Sequence, residues 1–225
     1  MGALLDATLL RVFPGGGDRI RFIQIGGNDG VHEDPLYHHH TSGTLDFEWG
    51  QVFEPIPEYF EMLTRNMSPF PYITCHQFAV DDSAEPGKRQ FNYVSPFDIE
   101  KHTLPPSSKG IGSFSRDRNA LGGVGYGEAK FRAIRDYIRT IEVDTVPVSH
   151  VTRQYSDANF LITDCEGHDL EIVSAAFRDN EFRPKLVQFE YLGQFDELLK
   201  STLGQLDAAG YRIVRAGKDT ICELA

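Results

Sequence analysis

Apolar and polar positions along the chain follow two alternating periods. Phe22, Ile23 and Ile25 form a short apolar run that ends at a glycine-rich turn over residues 26–30. β-Branched and aromatic residues bounded by glycine predict a buried strand followed by a turn. Further apolar segments predict strands over 51–53, 72–78, 90–94, 140–148, 159–164 and 185–191.

Stretches with helical spacing separate these strands. The predicted helices cover 4–12, a segment from Pro57, 128–139, a segment from Asp169, and an amphipathic segment marked by Phe195, Leu198, Leu199, Leu203 and Leu206. Two further strands, 211–214 and 220–222, follow one another at the end of the chain. Because strands alternate with helices until this final pair, we expect an α/β fold. The expected fold has a Rossmann-like doubly wound sheet that is mostly parallel, with a late antiparallel strand.

Residues 95–128 break this alternation. The segment is rich in Pro, Ser and Gly, and a connection of this length inside a compact domain is typical of a functional loop or lid. We expect one domain over residues 1–225, with residues 95–139 as a lid that covers the substrate.

Composition and charge limit the classes of function. A chain of 225 residues with 40% apolar residues can bury a sizeable core, and its net charge of −11 disfavours RNA or DNA as a substrate. No apolar run reaches the length of a membrane span, and the first residues lack the basic region of a signal peptide, so we expect a cytoplasmic protein without a membrane partner. Cys75, Cys165 and Cys222 are far apart, which favours reduced thiols over a structural zinc site.

The glycine-rich turn and an acid after the second strand predict a nucleoside site. Gly26, Gly27 and Gly30 permit positive φ and the close approach of a ligand to the main chain. Their spacing is not the G-x-G-x-x-G of dinucleotide-binding turns, which favours a ligand without a pyrophosphate. Glu54 ends the second strand, where a doubly wound sheet places the acid that binds ribose hydroxyls. The alternative for Glu54 is a solvated acid that caps the helix after it.

Acidic side chains also follow later strands. Asp164 and Glu166 flank the end of one strand, and His168 follows them after a glycine. Glu190 ends the next strand. Carboxylates at neighbouring strand ends can hold an amino group, a cationic ligand or a divalent ion, and a nearby histidine can accept a proton. The alternatives are a turn hydrogen bond for Asp164 and an ordinary surface position for His168.

A histidine tract, His38-His39-His40, follows a predicted helix start at Asp34 and Pro35. Such a tract is one sign of a metal site. Consecutive residues on a helix point in different directions, however, so that we expect no native metal site at the tract.

A second pattern with an alternative interpretation is the Ser113, Tyr126 and Lys130 spacing, which matches that of short-chain dehydrogenases. That chemistry needs the tyrosine and the lysine on one face of a helix. Tyr126 lies between Gly125 and Gly127, and each glycine makes a helix less favourable by about 1 kcal/mol. We treat the match as a coincidence and keep an NAD-dependent oxidoreductase as an alternative function.

Five blocks keep one order along the chain. They are residues 22–30, 52–57, 143–146, 161–169 and 186–190. Together these blocks resemble the FkbM-type methyltransferases. The resemblance implies a class I methyltransferase fold that uses S-adenosylmethionine to methylate a hydroxyl of a sugar, polyketide or similar small molecule. It also implies the cofactor-binding residues: Gly26, Gly27, Asn28 and Gly30 at the methionine part, Glu54 and Pro55 at the ribose, Ala79 and Val80 beside the adenine, and Asp164 at the reacting end.

On this interpretation the acceptor must lose its hydroxyl proton during methyl transfer, since an alcohol is a poor nucleophile. Asp164, His168 or Glu190 could take that proton, or Asp164 and Glu190 could hold a divalent ion that lowers the pKa of the alcohol. We therefore predict an S-adenosylmethionine-dependent O-methyltransferase, with an NAD-dependent oxidoreductase and a catalytically silent nucleoside-binding module as alternatives. The expected partner is a small-molecule hydroxyl acceptor, and the assemblies that we consider are a larger synthase and a homo-oligomer.

Overall fold

The computed structural model describes residues 2–15, 17–116, 119–178, 181–191 and 196–225. The helices are α1 (Gly2–Val12), α2 (Tyr37–Ser42), α3 (Pro57–Met67), α4 (Pro96–His102), α5 (Glu128–Ile134), α6 (Val148–Gln154), α7 (Asp169–Ala176) and α8 (Glu197–Ala208). The strands are β1 (Ile20–Ile25), β2 (Phe47–Phe53), β3 (Ile73–His76), β4 (Ala79–Asp81), β5 (Gly87–Val94), β6 (Gly112–Ser113), β7 (Ile138–Pro147), β8 (Phe160–Thr163), β9 (Leu186–Glu190), β10 (Tyr211–Ala216) and β11 (Asp219–Leu224).

The central sheet has seven strands in the order β10-β11-β9-β8-β1-β2-β3. β1 pairs in parallel with β2 and with β8, and β9 continues the parallel set beside β8. β11 is antiparallel to both β9 and β10. This order confirms the doubly wound α/β fold and the late antiparallel strand that the sequence predicts.

Both faces of the central sheet are buried. On one face, Phe22 and Phe160 pack with Leu5 of α1. On the other face, Ile23 and Leu161 pack with residues of α6, α7 and α8. Because successive side chains of a strand point to opposite faces, a strand covered on both sides needs a continuous apolar run, which is what the sequence supplies.

A second sheet of four strands, in the order β4-β7-β5-β6, was not predicted from the sequence. β5 pairs with β7 in antiparallel register from Gly87↔Thr145 to Val94↔Ile138. β7 contains several exposed positions, whereas β8 and β9 are buried throughout. This pattern suits a sheet with one face toward solvent, so that β7 belongs to a different environment from the central strands.

Strand and helix boundaries near the second sheet differ from the sequence prediction. The predicted strand over 72–78 ends at His76, and Ala79–Asp81 pairs with β7 as a separate strand. The predicted helix over 128–139 ends at Ile134, because the chain from Ile138 onward pairs with β5. α6 was not predicted at all.

Asp34 caps the start of α2 as predicted, whereas Pro35 does not occupy its predicted place in the helix. Asp34 Oδ1 accepts hydrogen bonds from Leu36 N and Tyr37 N at 2.8 and 2.7 Å, but Pro35 lies before α2 rather than in its first turn.

α8 begins at Glu197, and Phe195 lies outside the described residues. No helix in the described part of the chain is long and apolar enough to cross a membrane.

Residues 95–139 contain short regular elements instead of one long loop. These are α4, β6, α5 and single 3-10 turns at 106–108, 120–122 and 135–137. β6 pairs with β5, which attaches the segment to the second sheet. Leu104, Ile111, Leu121 and Ile134 form a small core cluster with Val94, so that the segment packs on apolar residues of its own.

Candidate active site

A cavity opens at the carboxyl ends of β1, β2 and β8. It encloses an empty volume of about 1010 Å³, counting the part that is open to solvent. Its walls come from residues within 24–28, 32–35, 53–56, 78–80, 109–114 and 162–168, together with Phe91 and Gln188. β1 lies between β2 and β8, so that the cavity is at the point where the strand order reverses and where doubly wound sheets bind ligands.

The main chain of the glycine turn shapes one end of the cavity. Gly26 N and Gly27 N both donate hydrogen bonds to Phe53 O, at 3.0 and 2.9 Å, which ties the ends of β1 and β2 together. Gly26 has φ of 87°, and a Cβ there would lie 2.0 Å from the backbone oxygen of Asp164. Only glycine fits this close approach of β1 to β8.

Glu54 is buried beside the glycine turn, with 5% of its surface exposed. Its Oε2 accepts a hydrogen bond from Asn28 N and its Oε1 accepts one from Ile56 N, both at 2.9 Å. Burial raises the pKa of Glu54 to about 8, although the two N–H donors favour the ionised form. Glu54 lines the cavity, so the alternative of a solvated helix cap is wrong. We call Gly26, Gly27, Asn28 and Glu54 the glycine end.

Asn28 adopts the left-handed conformation and has an acceptor oxygen without a partner among the described residues. Its φ is 48°, in the left-handed region. Its Oδ1 is buried and has no hydrogen-bond partner among the described residues. Buried polar atoms are normally paired, so that an unpaired oxygen on a cavity wall is available to a ligand.

Three carboxyl groups lie close together at the other end of the cavity, where Asp164 and Glu166 line the wall and Glu190 lies beside them outside the lining. Asp164, Glu166 and Glu190 each offer an oxygen atom, and these atoms lie within 4.8 Å of one another. Lys218 Nζ forms an ion pair with Glu190 Oε1. We call Asp164, Glu166 and Glu190 the carboxylate end.

Burial raises the pKa of every carboxyl group at the carboxylate end, and repulsion from Glu190 adds to the rise for Asp164 and Glu166. Burial contributes most for each, and Glu190 is the next cause for both Asp164 and Glu166. The pKa of Glu166 rises to about 8, and Lys218 opposes the rise in all three groups. One ammonium group therefore faces three carboxyl groups, and the site favours a further positive charge or a bound proton.

Asp169 fixes the turn that carries Asp164 and Glu166. Its Oδ1 accepts hydrogen bonds from Thr163 Oγ1 at 2.7 Å and from Cys165 N at 3.1 Å. Burial raises the pKa of Asp169 to about 7. Glu166 has φ of 49°, so that the turn is strained and is held in place by these bonds.

His168 lines the cavity, but the groups nearest to its ring do not belong to the carboxylate end. Its Nε2 lies 3.3 Å from Asp82 Oδ1, and its Nδ1 lies 4.0 Å from Glu171 Oε2. Its ring packs edge-on against Phe114, with the centroids 5.3 Å apart. Burial lowers the pKa of His168, although Glu171 and Asp82 oppose the shift.

An apolar wall lies next to the glycine end. Ala79 and Val80 are each 3% exposed, and both line the cavity. Phe78, Phe91 and Phe114 extend this wall. A flat aromatic group could be sandwiched here without polar contacts from side chains.

Residues 109, 110 and 119 contact both ends of the cavity. Lys109 Nζ forms an ion pair with Asp29 in the glycine turn. Gly110 N donates a hydrogen bond to Tyr59 Oη at 3.2 Å, and Asn119 Nδ2 donates one to Glu166 O at 2.8 Å. These residues are therefore attached to the walls of the cavity by polar contacts.

Most of the residues implicated by the sequence meet at this cavity. Those on its walls are Gly26, Gly27, Asn28, Glu54, Pro55, Ala79, Val80, Asp164 and His168. Gly30 faces α3 instead, because a Cβ there would lie 2.4 Å from Met67 Cε. Tyr126 is not on the cavity wall either, and its hydroxyl lies 2.9 Å from Ser108 Oγ. Tyr126 precedes α5, so that it does not share a helix with Lys130 as the dehydrogenase arrangement requires.

Several wall residues were missed from the sequence. Gln188 is 2% exposed, and its Oε1 has no hydrogen-bond partner within the described part of the chain. His32 Nε2 is also buried without a hydrogen-bond partner among the described residues, and both residues line the cavity. A signal for Gln188 existed, since a polar residue two positions before Glu190 shares its face in a buried strand. For His32 and Lys218 we find no such signal.

The seven-stranded sheet with one inserted antiparallel strand, and the cavity at the carboxyl ends of its parallel strands, define a class I methyltransferase fold. The family model described as "Methyltransferase FkbM domain" matches residues 24–213. The chain therefore belongs to the FkbM methyltransferase domain family, as the sequence blocks predict. A comparison with curated proteins gave no match.

Solved structures with a similar fold include relatives of low sequence identity. The methyltransferase FkbM from Methylobacillus flagellatus is 17% identical with a TM-score of 0.52, and the match covers 94% of this chain and 46% of that one. This chain thus spans about half the length of that relative. Fibrillarin from Aeropyrum pernix, whose structure contains S-adenosyl-L-methionine, is 8% identical with a TM-score of 0.43, and the match covers 98% and 74% of the two chains.

Proposed function

We propose that this protein is an S-adenosylmethionine-dependent O-methyltransferase that acts on a hydroxyl group of a small molecule such as a sugar or a polyketide. One observation carries the proposal. A single cavity joins a glycine-built end with a buried acid to an end lined by Asp164 and Glu166, next to which the carboxyl group of Glu190 lies. Membership of the FkbM methyltransferase domain family supports the transfer of a methyl group.

The glycine end fits the nucleoside part of the donor. Glu54 would accept hydrogen bonds from the two ribose hydroxyls, because each carboxylate oxygen keeps a free lone pair beside its bond to a backbone N–H. Ala79 and Val80 would lie against the adenine. The unpaired Oδ1 of Asn28 would bond a donor group of the methionine part.

The carboxylate end fits the reacting part. S-Adenosylmethionine supplies a methyl group on a positively charged sulfur, and carboxyl groups with raised pKa values face the space beside it. Asp164 would hold the acceptor hydroxyl and accept its proton while the oxygen–carbon bond forms and the carbon–sulfur bond breaks with its electrons on sulfur. A raised pKa makes ionised Asp164 a stronger base, and the positive charge of the bound donor would favour that ionised form.

Asp164 is a better candidate for the base than the other two predicted residues. Glu190 is engaged by Lys218. His168 is turned toward Asp82 and Phe114. We therefore place Glu190 as a group that tunes Asp164, and His168 as part of the wall near the acceptor.

A divalent ion is a second possible role for the carboxylate end. Carboxylate oxygens are the ligands that Mg²⁺ and Ca²⁺ prefer, and the three groups are close enough to share one ion. Such an ion would lower the pKa of the acceptor alcohol. Activity that disappears on chelation and returns with Mg²⁺ would establish this role, whereas unchanged activity in a chelator would leave Asp164 as the base.

We also propose that residues 95–139 cover the acceptor within one methyltransferase domain. Lys109, Gly110 and Asn119 connect this segment to both ends of the cavity. A cover that excludes water would favour the acceptor over hydrolysis of the donor. The net charge of −11 and the acidic cavity favour a small acceptor over a nucleic acid.

Two measurements test the proposal. Calorimetric titration with S-adenosylmethionine, its demethylated product and NAD⁺ should show binding of the first two only. Transfer of a labelled methyl group should then be followed with panels of hydroxylated small molecules, amines and RNA. Preferred binding of NAD⁺ would support the oxidoreductase alternative. Methylation of amines alone would refute the O-methyl assignment, and donor binding without turnover would support a silent binding module.

A further inference from the structure

A second group of possible metal ligands lies between α1 and α2. Asp6 of α1 and His38 and His39 of α2 each offer one atom, and these atoms lie within 4.8 Å of one another. His39 Nε2 lies 3.0 Å from Asp6 Oδ1, and His38 Nε2 lies 3.5 Å from the same oxygen. A tetrahedral ion with ligand bonds of about 2.0–2.1 Å separates neighbouring ligand atoms by about 3.3 Å. The observed distances bracket this value.

The two histidines converge although they are consecutive. Their ring centroids are 3.7 Å apart with the planes inclined by 40°. The sequence argument that successive helix residues diverge therefore fails for His38 and His39. It holds for His40, which is buried and packs against Phe22 and Phe47.

His39 is held in the orientation of a metal ligand. It is 3% exposed, and its Nδ1 lies 2.7 Å from Thr44 Oγ1. Metal-bound histidines commonly use their second ring nitrogen in this way, because the hydrogen bond fixes the ring and leaves the other nitrogen for the ion. Thr44 is placed by the left-handed turn at Gly43, which ends α2.

The outer side of the group is open. The side chain of His38 is 55% exposed and that of Asp6 is 31% exposed. An ion can enter from solvent, and a water molecule can take the fourth ligand position.

We propose that Asp6, His38 and His39 bind a divalent transition-metal ion such as Zn²⁺. Two imidazole nitrogens and one carboxylate suit zinc, cobalt or nickel, and they do not suit magnesium or calcium. The ion ties α1 to α2. It is a structural site and is separate from the carboxylate end of the cavity.

Zinc titration of the protein without an affinity tag tests this proposal. Calorimetry should show one Zn²⁺ per chain, and Co²⁺ should give the visible absorption of a low-coordinate site. His38→Ala and Asp6→Asn should each weaken Zn²⁺ binding by at least about tenfold. Both changes lie at exposed or isosteric positions, so that circular dichroism should show a folded protein.

Two controls make the result specific. Glu166→Gln alters the carboxylate end, and His150→Ala removes a histidine of α6; both variants should bind Zn²⁺ as the parent does. Absence of Zn²⁺ binding by the parent would overturn the proposal. Binding of unchanged affinity in His38→Ala or Asp6→Asn would overturn it as well, since the ion would then be held elsewhere.

Discussion

The two ends of the cavity are built by different means. At the glycine end the backbone sets the geometry: Gly26 brings β1 against β8, and Glu54 is fixed by two backbone N–H donors. At the carboxylate end, side chains set the electrostatics, and one lysine partly balances three carboxyl groups. The glycine end therefore depends on shape and the carboxylate end on charge.

This difference separates binding from turnover. A substitution at the glycine end should change the affinity for the donor, because the contacts there are the same before and during methyl transfer. A substitution at the carboxylate end should lower kcat with little change in donor affinity, because the proton transfer proposed for Asp164 would occur only in the transition state. Kinetics of matched variants can test whether the two ends differ in this way.

The largest effect is expected for Gly26→Ala. The added Cβ would lie 2.0 Å from the backbone oxygen of Asp164, which cannot retreat because Asp164 N donates a hydrogen bond to Ile25 O. We expect loss of detectable donor binding in calorimetry and a lowered melting temperature.

Gly43→Ala is the matched control for Gly26→Ala. Gly43 also has positive φ, but a Cβ there meets no described atom within 4 Å. This variant therefore isolates the cost of the left-handed conformation, about 1–2 kcal/mol. Donor binding by Gly26→Ala at the level of Gly43→Ala would show that the close approach of β1 to β8 is unimportant for the site.

Asp164→Asn should have the next largest effect. Loss of a general base lowers the rate by about 10²–10⁴-fold, and we expect that loss in kcat with the donor Kd nearly unchanged. His168→Gln is the comparison, with an expected loss below about tenfold because the ring faces Asp82. If His168→Gln proved the more damaging change, the base would be the histidine.

Glu54→Gln should act on binding instead. Hydroxyl donors of the bound ligand favour the ionised form of Glu54, so that the amide keeps one acceptor oxygen but loses the charge, and charge-assisted hydrogen bonds contribute about 1.5–3 kcal/mol. We expect a donor Kd weaker by about 10–100-fold, with kcat at saturating donor within a few-fold. The demethylated product should lose the same factor, since the ribose is common to both ligands. Unchanged affinity would remove Glu54 from the ribose site.

The glycine end was largely predictable from the sequence, and the carboxylate end only in part. Gly26, Gly27 and Glu54 are local features of strand ends, and strand ends can be recognised from apolar runs. Asp164 and Glu190 were predicted for the same reason. Lys218 could not be found, because its contact with Glu190 depends on the antiparallel placement of β11 beside β9.

The second sheet escaped the sequence for a related reason. The apolar patterns of β5 and β7 reveal strands, but the choice between two sheets depends on pairing over the long interval between Val94 and Ile138. The intervening elements are short, and their small core around Leu104 and Leu121 gives a weak periodic signal. The internal structure of residues 95–139 therefore could not be predicted, and their role as a cover stays a prediction.

Stability should depend on pH through the glycine end. Burial raises the pKa of Glu54 from 4.5 to about 8, so that the folded protein binds the proton more firmly than the unfolded chain. The contribution of protonated Glu54 to the free energy of unfolding is fully present below pH 4.5 and is lost as the pH rises toward 8. Between these two pKa values the free energy of unfolding falls by about 1.4 kcal/mol per pH unit. From pH 7 to 8 the melting temperature should fall by about 2–4 °C.

Glu54→Gln should flatten that pH profile. The interval above pH 7 is chosen because buried histidines such as His40, whose pKa is lowered to about 4 by burial, change stability at lower pH. A profile with the same slope in the variant would assign the titration to other groups, with Glu166 and Asp169 as the next candidates.

Lys109→Ala is expected to have the smallest effect and tests the connection between the two ends. Lys109 pairs with Asp29, whose carboxylate also accepts hydrogen bonds from the N–H groups of Val31 and His32. The glycine turn should therefore keep its shape without the lysine, and the loss is limited to a partly exposed ion pair of about 1 kcal/mol. We expect the KM for the donor to rise by about 2–5-fold. Lys101→Ala, an exposed change in the same covering segment, should leave KM unaltered. Equal effects of the two variants would mean that Lys109 acts on the cavity by general electrostatics rather than by holding the glycine turn.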